Sequence, residues 1–182
     1  MDKQTLRKQI REAKRAVPFS EKERRSAAIM HQVEQHPRFL DAKVVLLYWS
    51  MADEVQTHDF VNRWYRQKTL LLPCVDGDDL LLRQYTGPEC LKAGEQFGIG
   101  EPTGPVFTQV DQVEMIVVPG VAFDRHCNRM GRGRGFYDRL LKSTPNAYKV
   151  GVGFDFQLVE SVPVEPFDVQ MDKVVVESVL NR

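Results

Sequence analysis

Short apolar runs of strand length alternate along the chain with segments of helical period, and this alternation restricts the fold more than any other property. The runs are Val44-Val45-Leu46-Leu47-Tyr48-Trp49, Thr69-Leu70-Leu71-Leu72-Pro73, Val113-Glu114-Met115-Ile116-Val117-Val118, Tyr148-Lys149-Val150-Gly151-Val152-Gly153-Phe154 and Lys173-Val174-Val175-Val176-Glu177-Ser178. Runs this continuous suit strands covered on both faces, as parallel sheets require. Helices are expected over residues 3–16 and 20–36, from about Thr57, and from about Gly135 to Lys142, the second opened by a capping box at Ser20-Glu21-Lys22-Glu23. In the first, Leu6, Ile10, Ala13 and Val17 form the apolar stripe, with Lys3, Arg7, Arg11 and Lys14 on the adjacent face. Asp76-Gly77 predicts an antiparallel hairpin into Leu80-Leu81-Leu82, and the Gly- and Pro-rich residues 87–105 read as a loop.

The expected fold is therefore α/β: a single three-layer domain spanning residues 1–182, its sheet mostly parallel, with helices on both faces and one antiparallel hairpin. Ligands in such sheets gather beyond the carboxyl ends of the strands. That rule singles out the loops 50–56 and 119–134 and the segment after Phe154.

Composition excludes several function classes. Basic and acidic residues balance at 25 each, so no global field draws the chain to nucleic acid or to an anionic membrane. No apolar run is long enough to span a bilayer, and the charged opening residues lack the apolar stretch a signal peptide requires, so none is expected. Cys74, Cys90 and Cys127 contain no C-x-x-C pair, and the four histidines, His31, His36, His58 and His126, do not fall at ligand spacing. A disulfide framework and a zinc centre are both disfavoured, and a reduced, cytoplasmic monomer is expected.

Chemistry concentrates in Arg129-Met130-Gly131-Arg132-Gly133-Arg134-Gly135-Phe136-Tyr137-Asp138. Glycines alternating with guanidiniums before a helix let backbone amides approach an anion closely while Arg supplies forked donors. The run is neither a Walker loop nor a dinucleotide fingerprint. On pattern alone it reads as a polyphosphate cradle or as a surface loop of solvated arginines, with a nucleic-acid contact a lesser reading because the rest of the chain is not basic. Asp138, in the first turn of the following helix, suits a metal ion bridging phosphate oxygens or simply the helix dipole. Asp53 and Glu54 stand just past the first strand, where a carboxylate can accept hydrogen bonds from a heterocycle.

Taken in order, the segments resemble the 5-formyltetrahydrofolate cyclo-ligase family along nearly the whole chain. The most specific match is Pro119-Gly120-Val121-Ala122-Phe123-Asp124 continuing through Arg129 to Asp138. Lys3-x-x-x-Arg7, Ser50-Met51-Ala52-Asp53-Glu54, Gly98-Ile99-Gly100-Glu101-Pro102, Gly153-Phe154-Asp155 and Asp172-x-Val174 support it. Departures are Cys127 where many relatives have glycine, Arg134 where lysine is frequent, Gln56 where an acid is usual, and Phe167 where histidine often precedes the aspartate. Arg134 keeps the charge but not the geometry of lysine, and Cys127 leaves open whether its loop needs a positive φ.

The resemblance implies an ATP-dependent ligase that converts 5-formyltetrahydrofolate to 5,10-methenyltetrahydrofolate with magnesium. It implies ATP contacts from Lys3, Arg7, Arg129, Gly131, Arg132, Gly133, Arg134, Gly135, Phe136 and Tyr137, with Arg132 and Arg134 assisting phosphoryl transfer. Trp49, Glu54 and the stretch 132–136 would line the folate site, and Asp138 and Asp172 would hold magnesium. Two other readings remain: a non-catalytic nucleotide- or RNA-binding relative, and a sugar-phosphate isomerase on a similar scaffold.

Overall fold

The computed structural model describes residues 1–93 and 100–178. Its centre is a six-stranded sheet in the order β10-β9-β6-β1-β2-β3, formed by β1 (Val44–Leu46), β2 (Thr69–Asp76), β3 (Asp79–Gln84), β6 (Met115–Val118), β9 (Tyr148–Val152) and β10 (Lys173–Val175). All neighbours are parallel except β2 and β3, which pair antiparallel through the turn at Gly77. The expected mostly parallel sheet with one added hairpin is thus present.

The sheet separates two apolar layers because successive side chains of a strand point to opposite faces. On one face Val45, Leu47, Leu70, Leu72, Met115 and Val117 pack with Ile29 and Val33 of α2 (Phe19–Glu34), Phe39 of α3 (Pro37–Asp41) and Phe60 of α4 (His58–Trp64). On the other, Leu46, Leu71, Ile116 and Val118 meet Phe123 and Met171 together with Leu140 and Leu141 of α5 (Phe136–Ser143). That second layer holds one short helix and well-packed loops. The N-terminal helix α1 (Lys3–Arg15) does not lie on the sheet. It buries Leu6 and Ile10 against Ala122, Met130 and Val162, each contributing roughly 1.5–3 kcal/mol of burial. The partner is a small hairpin of β7 (Ala122–Phe123) and β8 (Arg129–Met130) that follows the carboxyl end of β6.

Three local expectations are corrected. Helix α2 begins at Phe19, after an extended Pro18 that makes no side-chain cap. Ser20 therefore already lies inside the first turn, and Glu21 bonds Arg24 and Arg25 instead of closing a capping box. The expected loop 87–105 contains an antiparallel pair, β4 (Leu91–Ala93) with β5 (Gly100–Pro102). Proline is tolerated at such a short edge strand, which is why Gly- and Pro-rich texture concealed it. Gly98 and Ile99 of the expected loop motif lie outside the described residues. Last, Lys14, expected on the basic face beside the apolar stripe, is itself buried at 6% exposure.

Candidate active site

The β7–β8 hairpin is built around one carboxylate. Asp124, 1% exposed, accepts from the backbone N–H groups of His126 (3.0 Å), Asn128 (3.1 Å) and Val162 (3.0 Å) and from the Asn128 amide (3.1 Å). Burial alone would raise its pKa, but these donors outweigh burial and hold it below the ordinary carboxylate value. Inside the same turn Cys127 has φ 65°. A non-glycine residue in this region costs about 1–2 kcal/mol, so the loop does adopt the conformation that glycine would adopt freely. The Cys127 carbonyl accepts from Met171 N–H at 2.8 Å, tying the turn to the chain entering β10.

Strand β8 delivers Arg129 into the floor of a cleft. Its Nε donates to the Pro119 carbonyl at 2.7 Å and its guanidinium lies 5.1 Å over the ring of Tyr137. Burial lowers the Arg129 pKa, and the same burial raises that of the Tyr137 hydroxyl. Tyr137 is therefore a neutral ring packed beneath a cation. The glycine-arginine run then crosses the cleft with Gly133 at φ 109° and Gly135 at φ 71°, conformations that glycine reaches without a Cβ clash. Gly135 is the N-cap of α5. Arg7, one helical turn beyond Lys3 on α1, donates from Nε to the Gly131 carbonyl at 3.1 Å, which fastens the first helix to the loop.

The acid loop forms the facing wall. Arg132 Nη2 lies 3.3 Å from each Asp53 carboxylate oxygen and 4.0 Å from Glu54 Oε2. Asp53 also pairs with Lys14 Nζ at 3.6 Å, so an ammonium under the loop, the loop acid and the guanidinium across the cleft form a chain of alternating charge. Glu54 accepts from Met51 N–H at 2.8 Å. Burial raises its pKa, more than that hydrogen bond and the Arg132 charge lower it. Gln56 donates from Nε2 to the Met51 and Glu54 carbonyls and so braces the turn. Trp49, half-buried, is stacked on His58 with centroids 3.7 Å apart and planes at 8°.

These walls enclose a cavity of about 680 Å³, within the usual size of small-molecule sites. Lys3, Arg7, Trp49, Glu54, Arg129, the stretch 131–137 and Asp138 all line it. Arg134 reaches it with its guanidinium 5.1 Å from the Phe136 ring, while Arg139 Nη1 donates to the Arg134 carbonyl at 3.0 Å. Asp138 Oδ1 accepts from Val169 N–H at 3.2 Å.

Asp172 is the exception. It stands before β10 at the amino end of the parallel strands, where it accepts from Lys149 N–H at 2.8 Å. The expected pair of magnesium carboxylates is therefore not brought together: Val169 is beside Asp138, and three residues later the chain has run down to the opposite end of the sheet. Among the described residues no group of three or more His, Cys, Asp or Glu side chains converges to hold a metal ion.

Lys14, Phe167 and Asp168 were missed as part of this neighbourhood. For Lys14 a signal existed. It stands four residues after Ile10, where the basic face borders the apolar stripe, and a lysine at that spacing is buried when an acid waits for it. The sequence marked Phe167 only as a departure from the pattern of the resembled family and did not place it at the cavity, because the turn that carries it is far from the glycine loop in the chain.

Comparison with known proteins agrees with this architecture. The model of the 5-formyltetrahydrofolate cyclo-ligase family matches residues 1–177. A protein of Haemophilus influenzae named 5-formyltetrahydrofolate cyclo-ligase is 34% identical over 143 residues, covering 74% of this chain and 76% of the relative. The Mus musculus protein of the same name is 27% identical over 189 residues, 96% of this chain and 93% of its own. The solved 5,10-methenyltetrahydrofolate synthetase of Aquifex aeolicus superimposes with a TM-score of 0.86 at 36% identity, covering 97% of this chain and 90% of that one.

Proposed function

The chain belongs to the 5-formyltetrahydrofolate cyclo-ligase family, and from that premise we propose that its cavity closes the ring of 5-formyltetrahydrofolate at the expense of ATP, giving 5,10-methenyltetrahydrofolate, ADP and phosphate. The observation that carries this reading is the meeting of two chemically different walls. A glycine-arginine loop suited to phosphates faces a Trp49–Glu54 wall suited to a polar heterocycle, with Arg132 only 4.0 Å from Glu54.

An N-formyl carbonyl is a weak electrophile. Its oxygen attacks the γ-phosphorus, the bond to the bridging oxygen breaks, and ADP leaves. The second folate nitrogen then attacks the activated carbon and loses its proton, and phosphate departs with the former formyl oxygen. Such chemistry asks the protein mainly for alignment and charge. Arg132 and Arg134 would neutralise the moving phosphoryl group, with Arg134 acting through a fork where a lysine would offer a point charge. Arg129, Arg7 and Lys3 would hold the remaining phosphates, together with the backbone of 131–137. Glu54 would accept from the pterin, and Trp49, held flat by His58, would wall its ring.

Magnesium is commonly held by one or two carboxylates plus substrate phosphates. Asp138, a cavity carboxylate beside the phosphate loop with one oxygen committed to Val169, fits that donor set. The ion would neutralise charge on phosphate oxygens. Purified protein given ATP, magnesium and 5-formyltetrahydrofolate is expected to gain the near-ultraviolet absorbance of the methenyl product. No gain dependent on ATP would overturn the reading.

A further inference from the structure

One large side chain at the cavity has no role in the chemistry above. Phe167 is 54% exposed and lines the cavity next to Asp168. It is not on a loose segment. Glu165 N–H donates to Asp168 Oδ2 at 2.8 Å, Asp168 N–H donates to the Glu165 carbonyl at 3.0 Å, and Val169 N–H reaches Asp138 at 3.2 Å. Lys3 completes the bracing, with Nζ 3.9 Å from Asp168 and 5.9 Å from the Phe167 ring centroid. A ring held in water on a braced turn beside a ligand cavity is a preformed stacking face, whose apolar area is buried only when a flat ligand arrives.

Contacts within the site set the direction in which that ligand lies. From the acid wall, Glu54 leads to Arg132, the glycine-arginine loop leads through Gly131 to Arg7, and one helical turn back along α1 lies Lys3, beneath Phe167. Phe167 therefore stands at the far end of the phosphate-binding row from Glu54. A nucleoside triphosphate that presents its γ-phosphoryl group toward a folate at Glu54 must point its base the other way.

We propose that Phe167 is the platform on which the nucleobase of the triphosphate stacks, with Lys3 and Arg7 holding the phosphates between it and the loop. The identity of the triphosphate rests on the ring-closing reading above. Stacking uses the π-face that every base has, so the contact supplies affinity with little discrimination among purines.

The test uses the full chain and its Phe167→Ala and Phe167→Tyr variants. Measured are KM for ATP, KM for 5-formyltetrahydrofolate and the inhibition constant of tripolyphosphate, which has the phosphates without the base. Phe167→Ala should raise KM for ATP on the order of 10-fold, leave tripolyphosphate inhibition and folate KM within about twofold, and be rescued by Phe167→Tyr. An unchanged KM for ATP, an equal weakening of tripolyphosphate, or a shift in folate KM in its place overturns the proposal. If the unaltered chain shows no ATP-dependent turnover, the ring-closing reading fails first. Calorimetric titration with ATP and with tripolyphosphate then decides the platform by the same comparison between unaltered chain and variant.

Discussion

Replacing Asp124 by alanine should cost more stability than any substitution at an exposed position of the site, and its cost can be worked from the contacts. Alanine strands three backbone N–H donors, those of His126, Asn128 and Val162, together with the Asn128 amide. A buried donor left without a partner costs about 1–3 kcal/mol. Val162 is buried, whereas water reaches the other two in part, so the expected loss is about 3–4 kcal/mol. With a urea slope of about 2 kcal/mol per molar, the midpoint of equilibrium unfolding should fall by roughly 1.5–2 M. Asp124→Asn keeps an acceptor for His126 and Asn128 and should lose about half as much. The sign with pH follows from a depressed pKa. The stabilisation is complete above the unfolded value near 3.8 and is lost as pH falls through the lower folded value. The acid limb of the stability profile should therefore flatten in Asp124→Ala. A loss below about 1 kcal/mol, or an unaltered acid limb, would refute the claim that this carboxylate organises the hairpin.

Asp138→Asn should fold normally and lose on the order of 10²-fold in turnover; full activity at saturating magnesium would remove it from the metal site. Glu54→Gln should abolish most turnover yet stabilise the ligand-free protein by up to about 1 kcal/mol at neutral pH, because burial raises the Glu54 pKa and its charge is a burden above that value. The gain should vanish as pH falls and the wild-type carboxyl protonates, and urea unfolding at two pH values checks it. Lys14→Met should change stability by no more than about 1 kcal/mol, since desolvation of the ammonium offsets its attraction to a half-exposed Asp53. A loss above about 3 kcal/mol in the same assay would mean that the pair itself fastens α1 to the acid loop.

Much of this molecule was legible before any coordinates. The parallel sheet followed from apolar runs too continuous for a half-exposed strand, and the Asp76-Gly77 hairpin from turn chemistry. The pairing β4–β5 was illegible because Gly- and Pro-rich edge strands share their texture with loops. Helix α2 began early because Pro18 sets the entry, whatever cap Ser20 could offer.

The sequence by itself determined the sheet, the glycine-arginine loop and the order in which acid loop, phosphate loop and basic helix occur, because local periodicity and turn preference are written in neighbouring residues. Only the tertiary structure decided which charges meet. It buried Lys14 against Asp53, sent Asp172 to the far end of the strands from Asp138, and set Phe167 above Lys3 at the cavity mouth. Such pairings join residues far apart in the chain, so they exist only once packing has brought separate elements to a common surface.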